Sequence, residues 1–384
     1  MRKNTLWQNS SLIALSGLGG YVLSLTGVSI GWLVGTLLAA SILSFWKSKW
    51  LANAGYNTAI KPHWRHVGQA ILGIELGQNM NLSTLDAFQD NYIVITVMLL
   101  LSIVFALFSG LILWRFSKAD MITSLFGTTP GGISAMPSMA EEVGANTIVV
   151  SIVQLIRIFL VVGTIPLLAS YWHAGNAAAV PPAVMAQTNA ANSGAVFHFL
   201  SFIWTVALAL AASCGYFAIR KIKFPAPWLV GGMLGTAAAQ MLGSSFIGEN
   251  LAPWWPHQLI ILAQIFIGAN IGSRLNKEMF TGAARIAIVG LLSSLGLVLA
   301  LVFCSVFVSK ITQIPLVTCI LAFAPGGVAE MATTSLALHA DSGFVVAVQS
   351  LRLLTIFLIL PPFYRLLHRQ SAQQEVKPKP GAVK

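Results

Sequence analysis

Charge is scarce in this sequence: Asp, Glu, Lys and Arg make up 9% of its 384 residues, against roughly a quarter in soluble globular chains. That deficit excludes an ordinary cytosolic enzyme. Cysteine is nearly absent as well, and Cys214, Cys304 and Cys319 all lie inside apolar stretches. A disulfide-stapled secreted fold is therefore excluded, and the thiols read as core residues. A nucleophile motif, a phosphate-binding glycine loop and a haem signature are also missing. Only His63 and His66 are neighbours among the histidines, and no carboxylate or cysteine completes a metal set beside them. No catalytic residue, metal or cofactor is expected. Acids are the rarer charge, leaving a net +11. The excess sits in short loops, so nucleic acid is not an expected partner.

Apolar residues fill the space that charge leaves, at 56% of the chain. A bilayer crossing takes roughly 20 such residues, and runs of that length predict helices near 10–28, 30–46, 64–80, 91–114 and 146–171. A second set follows near 195–219, 225–243, 257–273, 283–308 and 342–364. The first run has no small-residue cleavage site and is expected to stay as a helix. Two more apolar segments, 120–141 and 314–339, are interrupted by Pro130-Gly131-Gly132 and Pro325-Gly326-Gly327, which do not continue a helix comfortably. The expected class is an all-α polytopic membrane protein whose partner is the lipid bilayer.

Lys and Arg in short loops stay cytoplasmic, and this decides whether the interrupted segments cross or double back. With both doubling back as re-entrant hairpins, nineteen loop and terminal cations face the cytoplasm and only Lys310 faces outward. With both crossing, Arg220, Lys221, Lys223, Arg274, Lys277 and Arg285 move outside and the ratio falls from 19:1 to 14:6. Re-entrant hairpins and two cytoplasmic termini are therefore predicted, in a bacterial inner membrane. The chain divides into a first repeat (1–172), an external linker (173–194), a second repeat (195–366) and a disordered cytoplasmic tail (367–384).

The word repeat rests on one offset. Shifted by 195 residues, Gly73, Gly77, Pro130, Gly131, Gly132, Met136, Gln154, Arg157 and Pro166 meet identical residues without a gap. Trp32-Leu33-Val34-Gly35 meets Trp228-Leu229-Val230-Gly231 at an offset of 196. Five spans per copy is an odd number, so the second copy enters the membrane from the opposite side. Inverted repeats with broken segments near the midplane recur in secondary transporters.

The paired stretches TTPGGISAMPSMAEEVGA and FAPGGVAEMATTSLALHA resemble the duplicated membrane AbrB family, and the likeness spans nearly the whole chain. Members carry labels such as ammonia monooxygenase or regulator of gene expression, and the resemblance implies those names for this chain. The layout of five inverted spans per half, with a glycine-marked hairpin between the fourth and fifth, is also similar to sodium-coupled citrate and glutamate carriers.

Arg157 and Arg352 fall near the middle of the fifth span of each repeat, where a charge needs a partner or a wet cavity. A guanidinium fork suits a carboxylate or phosphate, so an anionic substrate is one reading. The other is a structural role, with either arginine bonded to Glu75, Glu330 or hairpin carbonyls. Gln154 and Gln349, three residues earlier and on the same helix face, supply hydrogen bonds to a ligand or glue between helices. Both Pro-Gly-Gly tips expose backbone groups at membrane depth and are followed by small or hydroxyl residues, among them Ser134 and Thr333. Glu330, where the first hairpin has Ala135, and Glu75, where the second repeat has Asn270, are candidates to couple Na⁺ or H⁺. Asn146 and Asp341, equivalent in the repeats, are of the type that caps a helix start and are assigned to the beginning of the fifth span. The expectation is a secondary transporter of a small anionic organic solute working by alternating access. A membrane sensor of gene expression is the alternative and a membrane monooxygenase the third reading. The first and second spans of each half are the candidate contact of a homodimer.

Overall fold

In a bilayer every backbone polar group has to be satisfied within the protein, and helices do this segment by segment. The computed structural model is all-helical over its described residues, which are 2–26, 30–51, 60–78, 89–131, 135–176, 199–222, 226–247, 253–275 and 283–375. The first half contributes α1 (Arg2–Ser24), α2 (Gly31–Leu51), α3 (Pro62–Gln78), α4 (Tyr92–Phe116), α5 (Met121–Thr128), α6 (Ala135–Glu142) and α7 (Thr147–Asn176). The second contributes α8 (Phe199–Lys221), α9 (Pro227–Ile247), α10 (Gln258–Gly272), α11 (Ala284–Thr312), α12 (Leu316–Phe323), α13 (Val328–Ala337) and α14 (Ser342–Glu375).

Each of the ten expected spans coincides with a helix, and each interrupted segment with a pair of short ones. Among the described residues, five helices are long and apolar enough to cross a membrane: Tyr92–Phe116, Thr147–Ala169, Ser201–Lys221, Ala284–Thr312 and Ser342–Ile359. Gly31–Phe45 and Gln258–Gly272 are apolar but shorter. Large side chains such as Val97, Val104 and Phe108 on α4 and Leu292, Leu299 and Phe303 on α11 are exposed, as lipid-facing surfaces require. This is a membrane protein. The last helix runs on to Glu375, into the segment assigned to the tail, and most of the expected linker lies outside the described residues.

The helices sort into two bundles whose pairings recur between the halves. In the first bundle α1 packs on α2 as α8 packs on α9, α3 packs on α9 as α10 packs on α2, and α3 meets α10. Glycine makes the exchanged pairs possible. A Cβ on Gly73 would lie 2.7 Å from the Leu229 carbonyl oxygen, and one on Gly268 would lie 2.7 Å from that of Leu33. The small-xxx-small spacing of Gly73 with Gly77 and of Gly268 with Gly272 thus lets each third helix cross the second helix of the opposite half. The second bundle holds α4 to α7 and α11 to α14, with α4 against α11, α5 against α7 and α12 against α14. The two bundles meet chiefly where α3 and α10 face α13 and α14.

Candidate functional site

Proline sets the breaks. A residue before proline is pushed out of the helical region, and Thr129 (φ −69°, ψ 128°) and Ala324 (φ −54°, ψ 138°) are both extended. Each break then turns tightly, with Gly131 N–H donating to the Thr129 carbonyl at 2.9 Å and Gly326 N–H to the Ala324 carbonyl at 2.8 Å. Both turns are tight: a Cβ on Gly131 would run into Met136, and one on Gly326 would stand 3.0 Å from Met331. Pro130, Gly131, Pro325 and Gly326 are buried and Gly327 is half-buried, while Gly132 and Ser134 lie outside the described residues.

An α-helix ends with carbonyls that lack an internal partner, and α5 and α12 end inside the protein. The helix beyond each break supplies the missing donors. From α7, Gln154 Nε2 donates to the carbonyls of Phe126 at 3.0 Å and Thr129 at 2.7 Å, and Arg157 Nη1 to that of Thr128 at 3.0 Å. From α14, Gln349 Nε2 donates to Leu321 at 2.8 Å and Ala324 at 3.0 Å, while Arg352 donates to Ala324 at 2.5 Å and Gly326 at 2.8 Å. A positive charge at a helix C-terminus is favourable. Both arginines are almost fully buried, at 2% and 1% exposure. Of the two roles open from the sequence, the bonds to hairpin carbonyls are present. No carboxylate among the described residues pairs with either arginine, and each Nε is buried without a hydrogen-bond partner.

The start of each long helix repeats the same economy. Asn146 Oδ1 accepts from the N–H groups of Ile148 and Val149 at 3.1 and 3.2 Å, and Asp341 Oδ1 from that of Phe344 at 2.9 Å. These residues act as N-caps, in keeping with their type and place.

The halves differ on the far side of the break. Glu330 lies in the first turn of α13, 1% exposed, with its carboxylate folded into the space a Cβ on Gly327 would need. Arg65 of α3 approaches it, Nη2 to Oε1 at 4.0 Å. Glu330 Oε2 and Arg65 Nε are both buried without a hydrogen-bond partner. Arg274, just beyond α10, belongs to the same cluster. Burial holds its guanidinium below the ordinary arginine range, the charge of Arg65 adds to that, and Glu330 acts in the opposite sense. Thr333, Thr334 and Ser335 are buried, and their hydroxyls donate within α13 to Ala329, Glu330 and Ala332.

Glu75 sits apart from the Glu330 cluster, half-buried on α3 between the two glycines that cross α9. Its counterpart Asn270 is fully buried and donates to the Ile60 carbonyl at 3.0 Å, tying α10 to the start of α3. Arg65 and Arg274 are site residues that sequence reasoning misses. In the sequence they are loop-edge cations that report orientation, and no local pattern connects either with Glu330.

The family model described as "Transition state regulatory protein AbrB" matches residues 9–368. The chain is 49% identical over 365 residues to "Uncharacterized protein YhjN" of Bacillus subtilis (strain 168), covering 95% of this chain and 94% of that protein. It is 28% identical over 302 residues to "Putative regulator AbrB" of Escherichia coli (strain K12), covering 78% of this chain and 81% of that one. No solved structure matches it.

Proposed function

The chain belongs to the AbrB family, and from that premise we propose that it is a secondary transporter moving a small anionic organic solute by alternating access. Its halves are inverted repeats, each with a re-entrant Pro-Gly-Gly hairpin, in an inner membrane with both termini cytoplasmic. One observation carries the reading. Two helices broken inside the protein end on a buried arginine that has no acidic partner among the described residues and one unbonded Nε–H. Two such cations in low dielectric favour an anion between them.

The packing supports the mechanism. One bundle interlocks the first three helices of both halves, the other holds both breaks, and they meet through α3, α10, α13 and α14. Relative motion of two such bodies exposes a site between them to alternate sides. Arg157, Arg352, Gln154 and Gln349 hold the breaks and present the arginine Nε–H groups to the anion. Glu330 or Glu75 carries the coupling charge for Na⁺ or H⁺. No catalytic chemistry is assigned to it. The first two helices of each half are the proposed dimer contact.

Flux across sealed proteoliposomes tests this. Wild type is expected to exchange a labelled anion from a panel of carboxylates and phosphate, and Arg352→Leu to lose that exchange; unchanged exchange in the variant contradicts the assignment. The names of the family model and of the E. coli relative favour a second reading, a sensor acting on gene expression. A sensor binds its ligand and gives no flux.

A further inference from the structure

We propose that the coupling ion is a proton and that Glu330 carries it, with Arg65 receiving a carboxylate of the anion when Glu330 is protonated. This rests on the transporter reading and narrows it.

Sodium at a broken helix takes its oxygens from unwound carbonyls. In this protein those oxygens are already engaged. Thr128 at the first break and Ala324 and Gly326 at the second accept from guanidinium groups, and a full positive charge within hydrogen-bond distance repels a second cation there. The glutamines take the carbonyls of Phe126, Thr129 and Leu321. Among the described residues, the carbonyls that end α5 and α12 are thus already held by cationic or amide donors, which disfavours sodium there.

Glu330 offers a proton site instead. Its carboxylate is at the N-terminal end of α13, where helix N–H groups favour negative charge, so it occupies the position an anionic ligand would take. Its 4.0 Å separation from Arg65 exceeds hydrogen-bond range, and both Glu330 Oε2 and Arg65 Nε are buried without a hydrogen-bond partner. Arg65, 24% exposed, therefore leaves the second carboxylate oxygen of the buried Glu330 unsatisfied. Adding a proton to Glu330 turns its carboxylate into a donor and releases the guanidinium charge beside it for a substrate carboxylate. One proton binds per anion and no other bond changes.

Arg65 of α3 and Arg274, just beyond α10, are the charged groups that act on Glu330. The elements packed against α13 also carry His63, His66 and Glu75 on α3, Arg352 on α14, Arg157 on α7 and Cys319 on α12. The other half has Ala135 and Ile260 at the matching positions, so the device is present once.

The test uses purified full-length protein in proteoliposomes with trapped pyranine and, as probes, succinate, citrate, glutamate and phosphate. Any anion that wild type exchanges is expected to acidify the lumen as it enters, in sodium-free buffer. Its binding, read by thermal shift, tightens as the pH is lowered, by up to about tenfold per pH unit for uptake of one proton. In Glu330→Gln, whatever exchange remains carries no protons, and binding no longer varies with pH. Wild-type uptake that requires sodium and moves no protons overturns the proposal and leaves the transporter reading standing; this arm needs no variant. Proton movement that persists in Glu330→Gln also overturns it. Exchange of no anion by wild type sinks the transporter reading itself.

Discussion

Arg157 Nη2 donates to the carboxamide oxygen of Gln154 at 2.6 Å. Arg352 and Gln349 form the same bond at the same distance, and in each case the guanidinium Nη and glutamine Nε2 donors close the end of a helix that stops inside the protein. Gln orients Arg, and together they cap carbonyls that lipid cannot hydrate.

Removing the guanidinium exposes those carbonyls. Hydrogen bonds to charged groups contribute about 1.5–3 kcal/mol each, so Arg352→Leu is expected to lower stability by on the order of 3 kcal/mol or more. Arg352→Lys should fall between wild type and Leu, because an ammonium lacks the fixed fork that spans Gln349, Ala324 and Gly326. Thermal unfolding in detergent measures the order, and a Lys variant as stable as wild type would contradict it.

The exchanged helix crossings predict paired effects. Gly73→Val and Gly268→Val each force a branched side chain against a facing backbone carbonyl and should each cost about 1–3 kcal/mol. A methyl added at Gly296 meets nothing within 4 Å, so Gly296→Ala on α11 should be neutral or stabilising by about 0.5–1 kcal/mol. The same unfolding assay separates the two classes.

Much of this is legible in the sequence. The Pro-Gly-Gly breaks, the Gln-Arg spacing and the N-capping Asn146 and Asp341 all follow from local chemistry. What the chain alone hides is the partner of each feature. Gly73 crosses Leu229 and Gly268 crosses Leu33, so each half supplies the groove for the other. Arg157 and Arg352 are bound to helix carbonyls, a role the sequence leaves level with ligand binding. The Arg65–Glu330 approach joins residues far apart in the chain, and pairing at that distance leaves no periodic trace.

Met136 covers the first turn where a Cβ on Gly131 would lie. Gly131→Ala should therefore impair folding or flux, Met136→Ala alone should lose about 2 kcal/mol or more of packing, and the double variant should recover part of the Gly131→Ala defect. Strict additivity of the two would show that the methionine is not the obstacle.

The central claim is that the halves enter the membrane from opposite sides, and Arg115 and Lys310 test it directly. They are exposed, close α4 and α11 as the last-turn cations of those helices, and match at the repeat offset. In a background lacking the three native cysteines, a membrane-impermeant thiol reagent added to intact cells is expected to label Lys310→Cys and spare Arg115→Cys. Inside-out vesicles should reverse the pattern. Labelling of both positions from the same side would contradict the account.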